Sequence, residues 1–189
     1  ADVIELGTSL VKDYGLIALS DIKAEIKQSE LLMDLKAIDE GVYEFNKGFE
    51  ANADILTVMG SADLSTISAV YDVTEKAGKT MLIDLLNMTD EEIAPLMTFE
   101  HAIFGLHHSH DNASNFDAAG SVKHFHEQFP AAKRIAVAGG IDLDQVKKLF
   151  RTHFATSWDL SFCKWFADKL FNLLNFMLLF AVDDSYRDS

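Results

Sequence analysis

The sequence predicts an α/β chain of the (β/α)8 TIM-barrel type, incomplete in its first and last strands. Three observations predict it. Strand-like and helix-like segments alternate along the chain. The strand-like runs end at Glu5, Asp34, Val58, Asp84, His107 and Ala138, every 23 to 31 residues, which is the length of one strand–helix unit. Parallel strands need crossovers of that length. Lastly, polar or glycine residues stand at nearly every strand end. That suits a barrel mouth, whereas an open doubly wound sheet concentrates such residues at one switch point. Six units are visible where a complete barrel has eight.

The first strand is Val3-Ile4-Glu5-Leu6, followed by the turn Gly7-Thr8-Ser9 and a helix over about 11–27. The second is the apolar run Leu31-Leu32-Met33, which leads into Asp34 and Lys36. A helix over 40–52 and the strand Ile55-Leu56-Thr57-Val58 come next. Asp63 or Ser65 can cap a helix that reaches about residue 77, where Gly78 ends it. Residues 80–85 form the fourth strand, and Thr89-Asp90-Glu91-Glu92 has the spacing of a capping box. Residues 102–106 and 134–138 supply two more strands. Between them a helix over 120–128 stops before Pro130, and Asp142 is placed to cap the last helix. The expected division is a partial barrel over 1–152 and a helical tail over 153–189.

Composition narrows the function. With 49% hydrophobic residues the chain can bury one sizeable core, and 30 acidic against 16 basic residues leave a formal charge of −14. Such a surface repels nucleic-acid backbones and anionic membranes, so neither is expected as a partner. A lone Cys163 cannot close an internal disulfide and fits the reducing cytoplasm. No signal-like opening is present, and the chain begins as if an earlier strand were missing.

Asp34 and Lys36 carry the chemistry. Alternation on a strand puts both on one face, where each favours the charged form of the other. Alone, such a pair is a strand-end ion pair. Companions in order make it more specific. The runs Ile4-Glu5-Leu6-Gly7-Thr8, Asp34-Leu35-Lys36-Ala37-Ile38-Asp39 and Thr57-Val58-Met59-Gly60-Ser61-Ala62-Asp63 resemble the orotidine-monophosphate-decarboxylase suprafamily of barrels. Within it, the 3-hexulose-6-phosphate synthases are the most similar group. Ile83-Asp84-Leu85-Leu86-Asn87 and Ala136-Val137-Ala138-Gly139-Gly140-Ile141 extend the resemblance to residues 2–146.

The resemblance implies a Mg²⁺-dependent aldol addition of formaldehyde to ribulose 5-phosphate through an enediolate, or its reverse. It implies Glu5 and Asp34 as the metal ligands, since Mg²⁺ prefers hard oxygen donors. Lys36 falls where the family places a lysine near the reacting carbons. Asp39 matches a residue lent across a homodimer interface, Asp84 an acidic strand end, and His107 a histidine near the substrate hydroxyls. Gly139 and Gly140 match a phosphate-binding strand end. The run His107-His108-Ser109-His110 also suggests zinc, but adjacent histidines diverge at a strand end and zinc needs three or four convergent ligands. His101, His124 and His126 read as surface residues.

Two departures are visible. The family's first strand, with a further substrate-binding aspartate, and its second glycine-rich phosphate loop have no counterpart here. Instead the chain ends in an aromatic, apolar tail. The run over 170–182 is shorter than the roughly 20 residues a membrane span needs, and it is expected as an amphipathic helix packed on the open barrel. The rival reading inside the suprafamily is a 3-keto-L-gulonate-6-phosphate decarboxylase. Asp84 in place of glutamate, His110 in place of an arginine and Ala138 before Gly139 favour the synthase. A rival from another class is a non-catalytic, truncated barrel acting as an interaction or structural protein.

Overall fold

Alternating apolar strands and amphipathic helices build a curled half-barrel in the computed structural model, which describes residues 3–109, 117–139, 141, 143–151 and 178–180. Six parallel strands run in sequence order: β1 (Val3–Leu6), β2 (Glu30–Ala37), β3 (Ile55–Met59), β4 (Thr80–Asp84), β5 (Ile103–His107) and β6 (Ile135–Ala138). The helices between them are α1 (Thr8–Leu19), α2 (Ile22–Glu25), α3 (Gly41–Glu50), α4 (Leu64–Ala77), α5 (Asp90–Ile93), α6 (Ala118–Gln128) and α7 (Leu143–Arg151).

Strands β2 to β6 bury both faces along most of their length, as parallel strands do, whereas β1 at the sheet edge is half-buried at three of its four residues. The outward face, with Leu31, Met33, Leu56 and Ile83, packs under the helices in the larger core. Phe45 of α3 lies fully buried there, edge-on to Phe49 at 5.9 Å between ring centroids. Truncating Phe45 to alanine would cost about 3–5 kcal/mol by the rule for large core residues. Gly48 lets α3 settle on β3, since a Cβ at that position would lie 2.6 Å from Leu56 Cδ2. The inward face carries a smaller cluster: Leu32, Ile55, Leu82, Ile103 and Ala136, with Val3 against them. This cluster is the apolar floor under the site.

Two expected helix boundaries are seen, one stop and one start. Gly78 closes α4 in the left-handed conformation at φ 61°, and Thr89 and Glu92 form a reciprocal capping box. The single helix expected over 11–27 is different. It starts at Thr8 and kinks at Gly15 (φ 71°), where glycine takes a backbone conformation that a continuous helix cannot hold; it then ends at Leu19 and resumes briefly as α2.

The tail also departs from expectation where it is described. Residues 178–180 are not helical but form a strand, β7 (Leu178–Phe180), antiparallel to β6 with Ala136 opposite Leu179. The free edge of β6 presents unpaired backbone groups, and a short apolar strand satisfies them. The rest of the expected tail helix, and the expected cap Asp142, lie outside the described residues. Among the described residues no helix is long and apolar enough to cross a membrane.

Candidate active site

Two residues beyond the apolar floor, on the same inward faces, stand Glu5, Asp34, Thr57 and Asp84. Asp34 and Asp84 are buried, at 7% and 4% exposure. Buried carboxylates need partners. Asp34 accepts from the Thr57 hydroxyl at 2.7 Å on Oδ1 and from the Thr8 hydroxyl on Oδ2. The Lys36 ammonium lies 2.9 Å from Asp34 Oδ2 and 2.7 Å from Asp84 Oδ2. His107 reaches the same Asp84 oxygen with Nδ1 at 2.8 Å, and the Leu86 amide donates to Asp84 Oδ1 at 3.0 Å. Four strand ends are thereby linked through one chain of polar contacts.

Charge inside this chain is fixed by its neighbours. Burial pulls the Lys36 ammonium down, but the carboxylates of Asp34 and Asp84 outweigh burial and leave it above its ordinary value. Burial pushes the Asp84 carboxyl up; the His107 hydrogen bond and the Lys36 charge reverse that and hold it below the usual range. At neutral pH, Lys36 is a cation and Asp84 an anion.

Lys36 gets there by a route that simple alternation does not describe. From Met33 to Ala37, four steps on β2 are matched to two on β3, from Leu56 to Val58. The surplus is taken up in a bulge where Lys36 has φ 49°. Bulges re-aim side chains at functional sites. Here the bulge brings the ammonium into the half-barrel, where it is flanked by both carboxylates.

The structure therefore brings together Asp34, Lys36, Asp84 and His107. Glu5 lies on the adjacent strand, half-buried, with Leu32 as its register partner. Asp39 stands apart. It is exposed past the end of β2, in a cleft lined with Glu40, Val42, Tyr43, Ser65 and Thr66. Gly139 has φ 86°, and a Cβ there would fall 1.8 Å from the His108 carbonyl oxygen. Glycine is thus required where the end of β6 meets the strand that carries His107. Gly140 and His110 lie outside the described residues. His101 and His124 are exposed, on Glu75 and Asp90, whereas His126 is half-buried. Thr8 and Thr57 were not among the expected site residues. The one signal for Thr57 is a hydroxyl inside an otherwise apolar strand.

Among the described residues no three histidine, cysteine or acidic side chains are grouped to hold a metal ion. Mg²⁺ does not need three. It keeps several waters and is commonly held by one or two carboxylates together with substrate oxygens. Glu5 and Asp34, on neighbouring strands facing one interior, have the right donor chemistry for that mode.

Residues 1–157 match the orotidine 5'-phosphate decarboxylase / HUMPS family. The chain belongs to this family. Family membership agrees with the half-barrel and with the ordered polar strand ends. The chain is 33% identical over 156 residues to 3-hexulose-6-phosphate synthase of Bacillus subtilis strain 168, covering 79% of this chain and 72% of the relative. It is 42% identical over 90 residues to the protein of that name from Methylomonas aminofaciens, but that match spans 48% of this chain and 43% of the relative. Among solved structures, 3-hexulose-6-phosphate synthase from Salmonella typhimurium superposes with a TM-score of 0.74 at 28% identity, covering 80% of this chain and 73% of that one. A 3-keto-L-gulonate-6-phosphate decarboxylase from Vibrio cholerae superposes with a TM-score of 0.67 at 24% identity, a likeness of fold.

Proposed function

We propose that this family member is a lyase of the 3-hexulose-6-phosphate synthase type, joining formaldehyde to ribulose 5-phosphate or running the reverse cleavage. The observation that carries the reading is Lys36 held between Asp34 and Asp84, with His107 on the same Asp84 oxygen. Relatives named for this activity support it.

The forward reaction removes a proton from the carbon next to the ketone, giving an enediolate. That carbon attacks formaldehyde, a C–C bond forms, and the new alkoxide takes up a proton. A lysine kept charged by two carboxylates is no base. Lys36 instead stabilises the negative oxygens of the enediolate and can donate to the alkoxide. Since Nδ1 of His107 is engaged by Asp84, Nε2 is the ring nitrogen left to exchange a proton with substrate. Asp84 orients both groups. Glu5 and Asp34 would hold Mg²⁺, which when bound supplies a Lewis acid for substrate oxygens. Gly139 and Gly140 would hold the phosphate through backbone N–H groups.

The working unit in this reading is a homodimer in which Asp39 completes the partner's site. Exposed apolar residues next to Asp39 support that interface: Ile38 at 55%, Val42 at 43% and Tyr43 at 62%.

The test is formaldehyde-dependent consumption of ribulose 5-phosphate by the full chain, with 3-keto-L-gulonate 6-phosphate offered separately. Turnover of the first pair without CO₂ release from the second supports the synthase. CO₂ release alone would assign the chain to the decarboxylase branch, and no turnover of either would leave the scaffold reading.

A further inference from the structure

The hydroxyl of Thr57 occupies a position that nothing in the proposed chemistry uses. Thr57 is 1% exposed, midway along β3 and between two apolar neighbours. It makes two hydrogen bonds in opposite senses. Its Oγ1 donates to Asp34 Oδ1 at 2.7 Å, and the same oxygen accepts from the Lys36 backbone amide at 2.8 Å. The amide it satisfies belongs to the residue with φ 49°, at the centre of the bulge where β2 and β3 lose register. A ladder partner is absent there, since β3 spends one residue opposite three of β2. An unpaired buried amide would be costly. Thr57 replaces the missing ladder bond with a side-chain oxygen and donates its own O–H to the carboxylate as a hydrogen bond.

We infer that Thr57 is a positioning residue: through one hydroxyl it fixes both the bulged backbone of Lys36 and the rotamer of Asp34, and so sets the distance between the site's cation and its buried carboxylate. Valine has nearly the same shape but neither the donor nor the acceptor. Thr57→Val would leave the Lys36 amide and Asp34 Oδ1 without this partner while still filling the space. Thr57→Ser keeps both bonds and loses a methyl group. A residue that merely packs would show the reverse order, with valine tolerated and serine damaging.

The inference rests on the reading of Asp34 and Lys36 as site residues, so its test uses two readouts. The first is hydrogen exchange of the Lys36 amide, followed by NMR in the full chain. Thr57→Val should speed it at least tenfold, with amides of the apolar floor such as Leu82 unchanged, and Thr57→Ser should leave it near the wild-type rate. The second is the split between kcat and KM. In the folded protein Thr57→Val should lower kcat about 10- to 100-fold with KM little changed, the usual cost of losing a group that orients a ligand, with serine restoring most of it. Should the wild-type chain have no synthase turnover, the functional reading fails and the exchange measurement alone decides the role of Thr57. Unchanged exchange in Thr57→Val, or faster exchange with unaltered kcat in an active wild type, would overturn the inference. So would a serine variant as impaired as the valine one.

Discussion

Two ionic clusters sit at opposite ends of the same strands, and they are built in opposite ways. At the start of β3, one carboxylate is shared by two lysines. Asp54 takes Lys23 at 2.5 Å on Oδ2 and Lys79 at 2.7 Å on Oδ1, and the Leu31 amide donates to it at 2.9 Å. At the ends of β2 and β4, one lysine is shared by two carboxylates. The lower cluster fastens: Lys23 also donates to the Ser29 carbonyl, and the Asp54 backbone bonds to Leu31 and Thr80, so three chain segments are tied where the strands begin. The upper cluster holds more carboxylate than cation, with Glu5 adding a further acidic group on the next strand. Buried ion pairs are weak devices for stability, because desolvation offsets most of their attraction. A negative, buried surplus facing the mouth of a half-barrel is better explained as a place for a cation and a polar substrate. The lower end of such a barrel reads as stability and the upper end as chemistry.

The largest effect expected from that contrast is on the upper cluster alone. Excess chelator should abolish synthase turnover, and Mg²⁺ or Mn²⁺ should restore it, while the urea midpoint moves little. Full activity in excess chelator would remove Glu5 and Asp34 from the metal assignment. Asp34→Asn should come next, lowering kcat/KM by about 10³-fold, roughly 4 kcal/mol. The hydroxyls of Thr8 and Thr57 can still bond to the amide, so far-UV circular dichroism should match wild type.

The parallel fold and part of the upper cluster were legible from the residues, and the lower cluster was not. Strand ends recurring at the length of one β–α unit predicted the parallel order, and Asp34 and Lys36 were expected in contact. The route to that contact was not. Alternation assumes an unbroken strand, whereas Lys36 is turned by a bulge that depends on a hydroxyl from the neighbouring strand, and pairing between strands is not written in the periodicity of either. Thr8 escaped for a similar reason, since its partner is 26 residues away. At 178–180, apolarity alone does not choose between a packed helix and an edge strand; the free edge of β6 chooses.

On the lower cluster the prediction has the opposite character. Asp54→Asn should destabilise by about 1–3 kcal/mol, as expected for losing charged hydrogen bonds, and leave kcat unchanged at 25 °C. The same residue gives a pH signature. Burial opposes its ionisation, but the hydrogen bonds from Lys23, Lys79 and the Leu31 amide prevail and hold its carboxyl down at about 2, against 3.8 ordinarily. The unfolded chain therefore binds this proton first as pH falls, so the contribution is complete above pH 4 and is lost between pH 4 and 2. Urea midpoints measured across that window should fall less steeply in Asp54→Asn than in wild type.

The smallest signal belongs to the proposed shared site. Subunits carrying Asp39→Ala, mixed with subunits carrying Lys36→Arg, should recover part of the lost activity, since one of the two sites in each mixed dimer is then intact. No recovery with mixed dimers confirmed by mass spectrometry would return Asp39 to its own subunit.

The most direct test of the division between the two ends is a charge-conserving exchange at each. Lys36→Arg keeps the cation between Asp34 and Asp84 but replaces a compact ammonium with a planar fork, and arginine cannot stand in for lysine where a point charge must meet a defined atom. The measurement is kcat for formaldehyde-dependent consumption of ribulose 5-phosphate by folded protein. It should fall by at least about 100-fold in Lys36→Arg, within the range for losing positioned acid–base or electrostatic help, and stay within about twofold in Lys23→Arg. Equal losses in the two variants, or wild-type turnover in Lys36→Arg, would contradict the assignment of chemistry to the upper cluster.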